Sequence, residues 1–204
     1  FYKASASNLK IDQELAEERL RTEPCADWAS WKNFEQFISD SSQSKPLIDR
    51  ESVDLVISNC VINLVGETEK QNVFAEIFRV LKPGGEFRVM VYHTWSLVGL
   101  MLWVRYGLLR GRPWTGLSEI YSKWLESPGT KTYTKAEAAA LFDGAIDLNC
   151  HVELTHGDLL ESGAGQRHEG TALNIARQLW PRWLLRRVAR PFGLFLLVGG
   201  SKGA

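Results

Sequence analysis

Cysteine is scarce in this 204-residue chain. Cys25, Cys60 and Cys150 are odd in number and widely spaced. That excludes a disulfide framework and suits a reducing, cytoplasmic setting. No Cys-x-x-Cys or His-x-x-x-His pair has metal-ligand spacing, so no metal is expected. There is no signal-peptide pattern. The most apolar stretch, residues 96–110, is too short to span a bilayer and contains Arg105. Charge of one sign is also missing. Lys+Arg and Asp+Glu stand at 24 each, which gives no electrostatic reason to expect nucleic acid or an acidic partner. Glycine-rich segments exist, SGAGQ (162–166) and GGSKG (199–203), but their spacing fits neither a phosphate nor a dinucleotide loop. Repeats and low-complexity tracts are absent. The first residue is Phe, and the chain opens inside a strand-like run, Phe1-Tyr2-Lys3. That is the pattern expected of a processed or partial sequence.

What is present reads as one domain with a sizeable core. Eight Trp residues point to a bulky core or an apolar substrate surface. Residues 1–6 read as a strand. Residues 12–46 are polar and helix-prone, and Trp28, Trp31, Phe34 and Phe37 recur on one helical face. Val53 to Ile57 is a short apolar run suited to a strand buried on both faces in mid-sheet. Thr68 and Gln71 form a capping box for the next helix, whose stripe is Val73, Phe74, Ile77, Phe78 and Leu81. It stops at Lys82-Pro83-Gly84-Gly85. Phe87 to Val91 is the next strand. Residues 51–92 therefore form a strand–helix–strand unit with a right-handed crossover.

Further on, residues 96–110 and 118–126 are helical. Thr134 with Glu137 caps a helix over 135–142. Residues 146–155 and 193–199 are strands. The stretch 157–170 is a polar loop, and 171–190 is helical with a break at Pro181.

Asp54 to Asn59 at a strand end, Arg79 to Gly85 closing a helix as R-V-L-K-P-G-G, and the strand Phe87 to Val91 together resemble the middle of class I S-adenosylmethionine-dependent methyltransferases. The segment SNCVINLV (58–65) is similar to arsenite methyltransferases and their bacterial relatives. The resemblance implies an α/β fold: a Rossmann-like, mostly parallel sheet with the last strand antiparallel. Residues 12–46 would be an insertion, and residues 94–134 a helical cap. The cofactor implied is S-adenosylmethionine. The family's glycine loop, and the acidic residue that binds the cofactor's ribose, have no counterpart in these 204 residues.

Ligands in open α/β sheets sit beyond the carboxyl ends of strands. The resemblance therefore places Ser58, Asn59, Cys60 and Val61 beneath the cofactor, with Ser5 and Ala6 after a preceding strand. Cys60 resembles an arsenic-binding thiol, or is a small residue packed below the cofactor. Tyr92 and His93 end a strand at the same edge. His93, with a pKa near neutrality, is a candidate to orient or deprotonate a substrate hydroxyl, or else makes a structural hydrogen bond. His156, Asp158, Glu161, Arg167 and His168 are a substrate rim or a solvated loop. Trp95, Trp103 and Tyr106 shape an apolar pocket or pack a cap helix. The Arg-rich, Trp-rich stretch 177–190 reads first as a surface helix with its apolar face on the sheet. A membrane surface is the lesser alternative.

The expected function is methyl transfer to a small molecule with apolar character. In-line displacement depends on alignment more than on acid–base groups, so the lack of a triad is no objection. The alternative is a truncated, non-catalytic partner or scaffold, dimerising through an exposed sheet edge.

Overall fold

The computed structural model describes residues 3–125, 129–161, 178 and 180–203. Four strands form one sheet: β1 (Val53–Asn59), β2 (Leu81–Tyr92), β3 (Ala145–Glu153) and β4 (Phe195–Lys202). Their order is β1-β2-β4-β3. The sheet is mostly parallel and the last strand runs antiparallel. Eight helices accompany it among the described residues: α1 (Gln13–Thr22), α2 (Trp28–Ser44), the single turn α3 (Val61–Leu64), α4 (Glu67–Val80), α5 (Leu97–Tyr106), α6 (Leu117–Trp124), α7 (Lys135–Ala140) and α8 (Arg182–Val188). None is long and apolar enough to cross a membrane. The chain divides into two compact units, one of residues 1–56, 66–86 and 201–204, the other of 57–65 and 87–200.

In the first unit α4 carries the expected stripe. Val73, Phe74 and Ile77 are buried, as is Leu81 just after the helix, and Phe78 is half-buried. The helix starts at Glu67 with Gly66 as its N-cap, so Thr68 lies inside the first turn and not at the cap position read from the sequence. Nor is there a turn of several residues after α4. β2 begins at once with Leu81, and Gly84 takes φ +74° within it, a backbone that favours glycine. Glu76 and Arg79, both largely buried, pair at 2.7 Å on α4. The Leu9 N–H donates to Glu76 (2.8 Å), and Arg79 donates to the Ile48 carbonyl (2.9 Å). Burial works against the Glu76 charge, but Arg79 and the Leu9 N–H outweigh it and hold the carboxyl below its ordinary range. This pair ties the segments near Leu9 and Ile48 to α4.

Of the strand expected over residues 1–6, the described residues 3–6 form none. Ser5 instead bridges Asn8 within a tight turn, where the Asn8 N–H donates to the Ser5 carbonyl (3.0 Å) and the Ser5 and Ser7 hydroxyls share a hydrogen bond. Backbone groups spent on a local turn cannot extend a sheet. As a result β1 ends the strand order instead of lying mid-sheet. It is not buried on both faces either, since Leu55 and Ile57 are exposed.

In the second unit β2 alternates with period two. Phe87, Val89 and Val91 are buried, while Arg88 is exposed. Phe87 stacks on Phe142 at 4.5 Å. A second core joins Tyr92, Leu102, Tyr106, Ile120, Tyr121 and Leu194. The Thr134–Glu137 capping box forms at α7.

The expected helix 171–190 is described only from Pro181 on, as α8; most of 171–180 lies outside the described residues. α8 buries none of its residues, contrary to an apolar face seated on the sheet. Polar bonds hold this segment instead: Trp180 Nε1 to the Asp158 carbonyl (2.9 Å), Arg182 to the Leu159 carbonyl (3.0 Å), and Arg186 to Glu161 (2.6 Å).

Candidate functional site

β1 delivers its last residues to a sharp turn. Cys60 takes φ 56° and ψ 0°, the left-handed region, and its N–H donates to the Met90 carbonyl (3.0 Å). A non-glycine residue there costs of order 1 kcal/mol and persists only where its surroundings enforce it. Cys60 packs against the cluster that contains Tyr92 and Tyr106. Ser58 and Asn59, just before it, line a depression of about 640 Å³ on the sheet face, together with Arg88, Asn149 and His151. Val61 starts the one-turn helix α3.

Asn63 follows in that turn. It is buried, and neither its amide nitrogen nor its amide oxygen has a hydrogen-bond partner among the described residues. Buried polar atoms without partners are rare and costly. Nothing in the letters announces this, because an Asn within VINL reads as an ordinary helix residue.

His93 is buried at the end of β2. Its Nδ1–H donates to the Gly193 carbonyl (3.2 Å), and its own N–H donates to the Leu194 carbonyl (2.7 Å). Burial lowers its pKa, Lys135 adds to this, and the Gly193 bond and Asp158 oppose it. The imidazole is therefore neutral at pH 7, with the Nδ1 proton fixed on Gly193 and the lone pair on Nε2. Tyr92 is buried as well, with its ring stacked at 6.1 Å on Phe195.

Asp158, read from the sequence as part of a substrate rim or a solvated loop, is fully buried. Its carboxylate accepts from the N–H groups of Thr155 (2.9 Å), Leu194 (2.8 Å) and Val98 (3.3 Å), and from the Thr155 hydroxyl (2.9 Å). Burial raises its pKa in spite of those bonds. Gly193 is required beside it, because a Cβ there would lie 2.0 Å from the Glu153 carbonyl. From the same loop, His156 pairs with exposed Glu161 (3.1 Å), while Arg167 and His168 lie outside the described residues. No metal-binding cluster occurs among the described residues.

Tyr121, unremarked in the sequence, shares a hydrogen bond with the Ser96 hydroxyl (2.8 Å) and donates to the Thr94 carbonyl (2.9 Å). Burial pushes its pKa up to about 12. Tyr106 stacks on Trp124 at 4.1 Å, Trp103 donates to the Thr115 carbonyl (3.1 Å), and Trp95 is exposed. Ser5 and Ala6 belong to the N-terminal turn of the other unit.

Residues 9–89, which span α4, β1 and most of β2, match the family model described as a methyltransferase domain. The arsenite methyltransferase of Mus musculus is 64% identical over 39 residues, 19% of this chain and 10% of that protein. The arsenite methyltransferase of Halobacterium salinarum is 54% identical over 44 residues, 22% of this chain and 10% of that protein. The chain thus matches about a tenth of the length of these curated relatives. Among solved structures, a Thermotoga maritima S-adenosylmethionine-dependent methyltransferase, described as a possible histamine N-methyltransferase, aligns with TM-score 0.46 and 14% identity. The alignment covers 82% of this chain and 70% of that one. A Haemonchus contortus phosphoethanolamine N-methyltransferase, in complex with S-adenosyl-L-methionine, aligns with TM-score 0.46 and 14% identity, covering 84% of this chain and 40% of that one.

S-adenosyl-L-methionine is bound in that Haemonchus contortus protein. A strained turn presents Asn59, and a buried amide at Asn63 lacks partners.

Proposed function

We propose that this chain contributes to an S-adenosylmethionine-dependent methyl transfer onto a small molecule with apolar character. The observation that carries the reading is the unpartnered Asn63 amide, three residues beyond the left-handed turn at Cys60. Ser58, Asn59 and Cys60, with the main chain at Val61, would hold one flank of the cofactor. The cofactor supplies an electrophilic methyl group on a sulfonium. Neutral His93 offers Nε2 to the acceptor's proton, and its ring is fixed by the Gly193 carbonyl. Exposed Trp95, two residues on, supplies apolar surface for the acceptor. Ultraviolet crosslinking of radiolabelled S-adenosylmethionine, followed by peptide mapping, tests this. Label within residues 58–63 supports it, and label confined elsewhere contradicts it.

One observation favours a second reading, a non-catalytic partner. β1 stands at the end of the sheet and Ile57 is exposed on it. An open, apolar edge strand is a template for pairing with another chain. Light scattering behind size exclusion separates the readings: a stable dimer that takes no crosslink supports the scaffold.

A further inference from the structure

The connection from α5 to α6 turns its apolar side chains outward. Leu109 is 76% exposed and Trp114 is 79% exposed, with Leu108 also open to solvent. Isolated exposed apolar residues need no explanation, but several on one short turn do.

Fraying does not account for them, because the turn is firmly built. Gly107 N–H donates to the Trp103 carbonyl (2.8 Å), Gly111 N–H to Leu108 (3.0 Å), Arg112 N–H to Gly107 (2.9 Å) and Thr115 N–H to Arg112 (3.1 Å). The Trp103 indole closes the far end on the Thr115 carbonyl (3.1 Å). Gly111 takes φ +70°, and a Cβ on Gly107 would lie 2.8 Å from the Trp103 carbonyl. The fold thus holds these apolar residues in water at a fixed place.

Along the sequence the charge beside them has one sign. Between Glu86 and Glu119 the sequence contains no Asp or Glu, and Arg105, Arg110 and Arg112 flank the exposed residues. Arg110 lies over the rings of Tyr106 (4.9 Å) and Trp124 (5.0 Å), which fixes that cation beside the turn. In a chain with no net charge, this is a local positive patch around an apolar tip.

We propose that the turn Leu108–Trp114 docks the protein on an anionic lipid surface. Leu109 and Trp114 would enter the headgroup boundary, and the arginines would meet the phosphates. Trp favours that boundary because its ring is apolar and its N–H polar. Each arginine near an anionic surface adds attraction that salt screens. The match of charge to this surface is what selects it over an uncharged apolar partner.

Sedimentation of the full chain with phosphatidylglycerol vesicles and with phosphatidylcholine vesicles tests the proposal. The expected result is at least tenfold tighter binding to the anionic vesicles, weakened by added salt. Leu109→Ser with Trp114→Ser should reduce it at least tenfold. Arg112→Glu alone should reduce it severalfold, and circular dichroism of all variants should match the parent. Trp183→Ser on α8, where Trp183 is 70% exposed, should leave binding unchanged. Equal binding to both vesicles, no binding, or loss through Trp183 in place of Trp114 would each overturn the proposal. So would self-association of the parent chain, without vesicle binding, that Leu109→Ser disperses.

Discussion

The N–H of Leu194 donates to the buried carboxylate of Asp158 at 2.8 Å, and this bond anchors the segment just before β4 that holds His93. Leu194 and Gly193 in turn accept both His93 donors, so Asp158 fixes the imidazole at one remove. Removing the carboxylate strands several N–H groups in the interior. Asp158→Ala is expected to cost about 3 kcal/mol, and Asp158→Asn, which keeps one acceptor, about 1 kcal/mol. Urea unfolding followed by circular dichroism measures both.

The pH dependence has a definite sign at His93. Its folded pKa lies below the ordinary value, chiefly through burial, so folding favours the neutral ring. Its contribution to stability is present above the unfolded pKa and is lost as pH falls through the folded one. Asp158 acts in the opposite direction, because its raised pKa makes protonation on acidification favour the folded state. His93→Gln should therefore lose less stability than the parent between roughly pH 7 and pH 5. Urea midpoints across that range provide the check. A histidine titration by NMR should place His93 below the ordinary value.

A close approach at α5 makes a steric prediction. A Cβ on Gly99 would lie 1.8 Å from the Tyr121 hydroxyl oxygen. Gly99→Ala must displace a fully buried ring and should cost about 3 kcal/mol. Tyr121→Phe keeps the ring and loses only the hydroxyl bonds, for about 1 kcal/mol. Thermal unfolding should rank the two in that order.

Asn63 separates stability from function. An apolar side chain of similar shape removes an unpartnered buried amide, so Asn63→Leu should stabilise the chain by about 1 kcal/mol. The same change should abolish crosslinking to S-adenosylmethionine. Unfolding midpoints together with label incorporation read both effects.

How much was legible in the sequence depended on how local its cause was. The α4 stripe, the presence of a strand on either side of it and the Thr134–Glu137 box follow from spacing over a few residues, and each of these forms. The exposure of β1 depends on what lies beside it. Ser5 and its neighbours spend their backbone bonds on a turn, a choice the letters Lys-Ala-Ser-Ala-Ser do not announce. Asp158 looked like a loop residue because its acceptors are filled from Leu194 and Val98, distant in sequence. Asn63 is further still from legibility, since its signature is an absence of partners.

The account's central claim is that the end of β1 forms one flank of the cofactor site. Amide chemical-shift mapping of the isotopically labelled chain, titrated with S-adenosylhomocysteine, tests it most directly. The account predicts shifts concentrated at Ser58, Asn59, Cys60 and Asn63, with the Asn63 side-chain amide among the largest. Shifts confined to other residues, or none at any concentration reached, would contradict it.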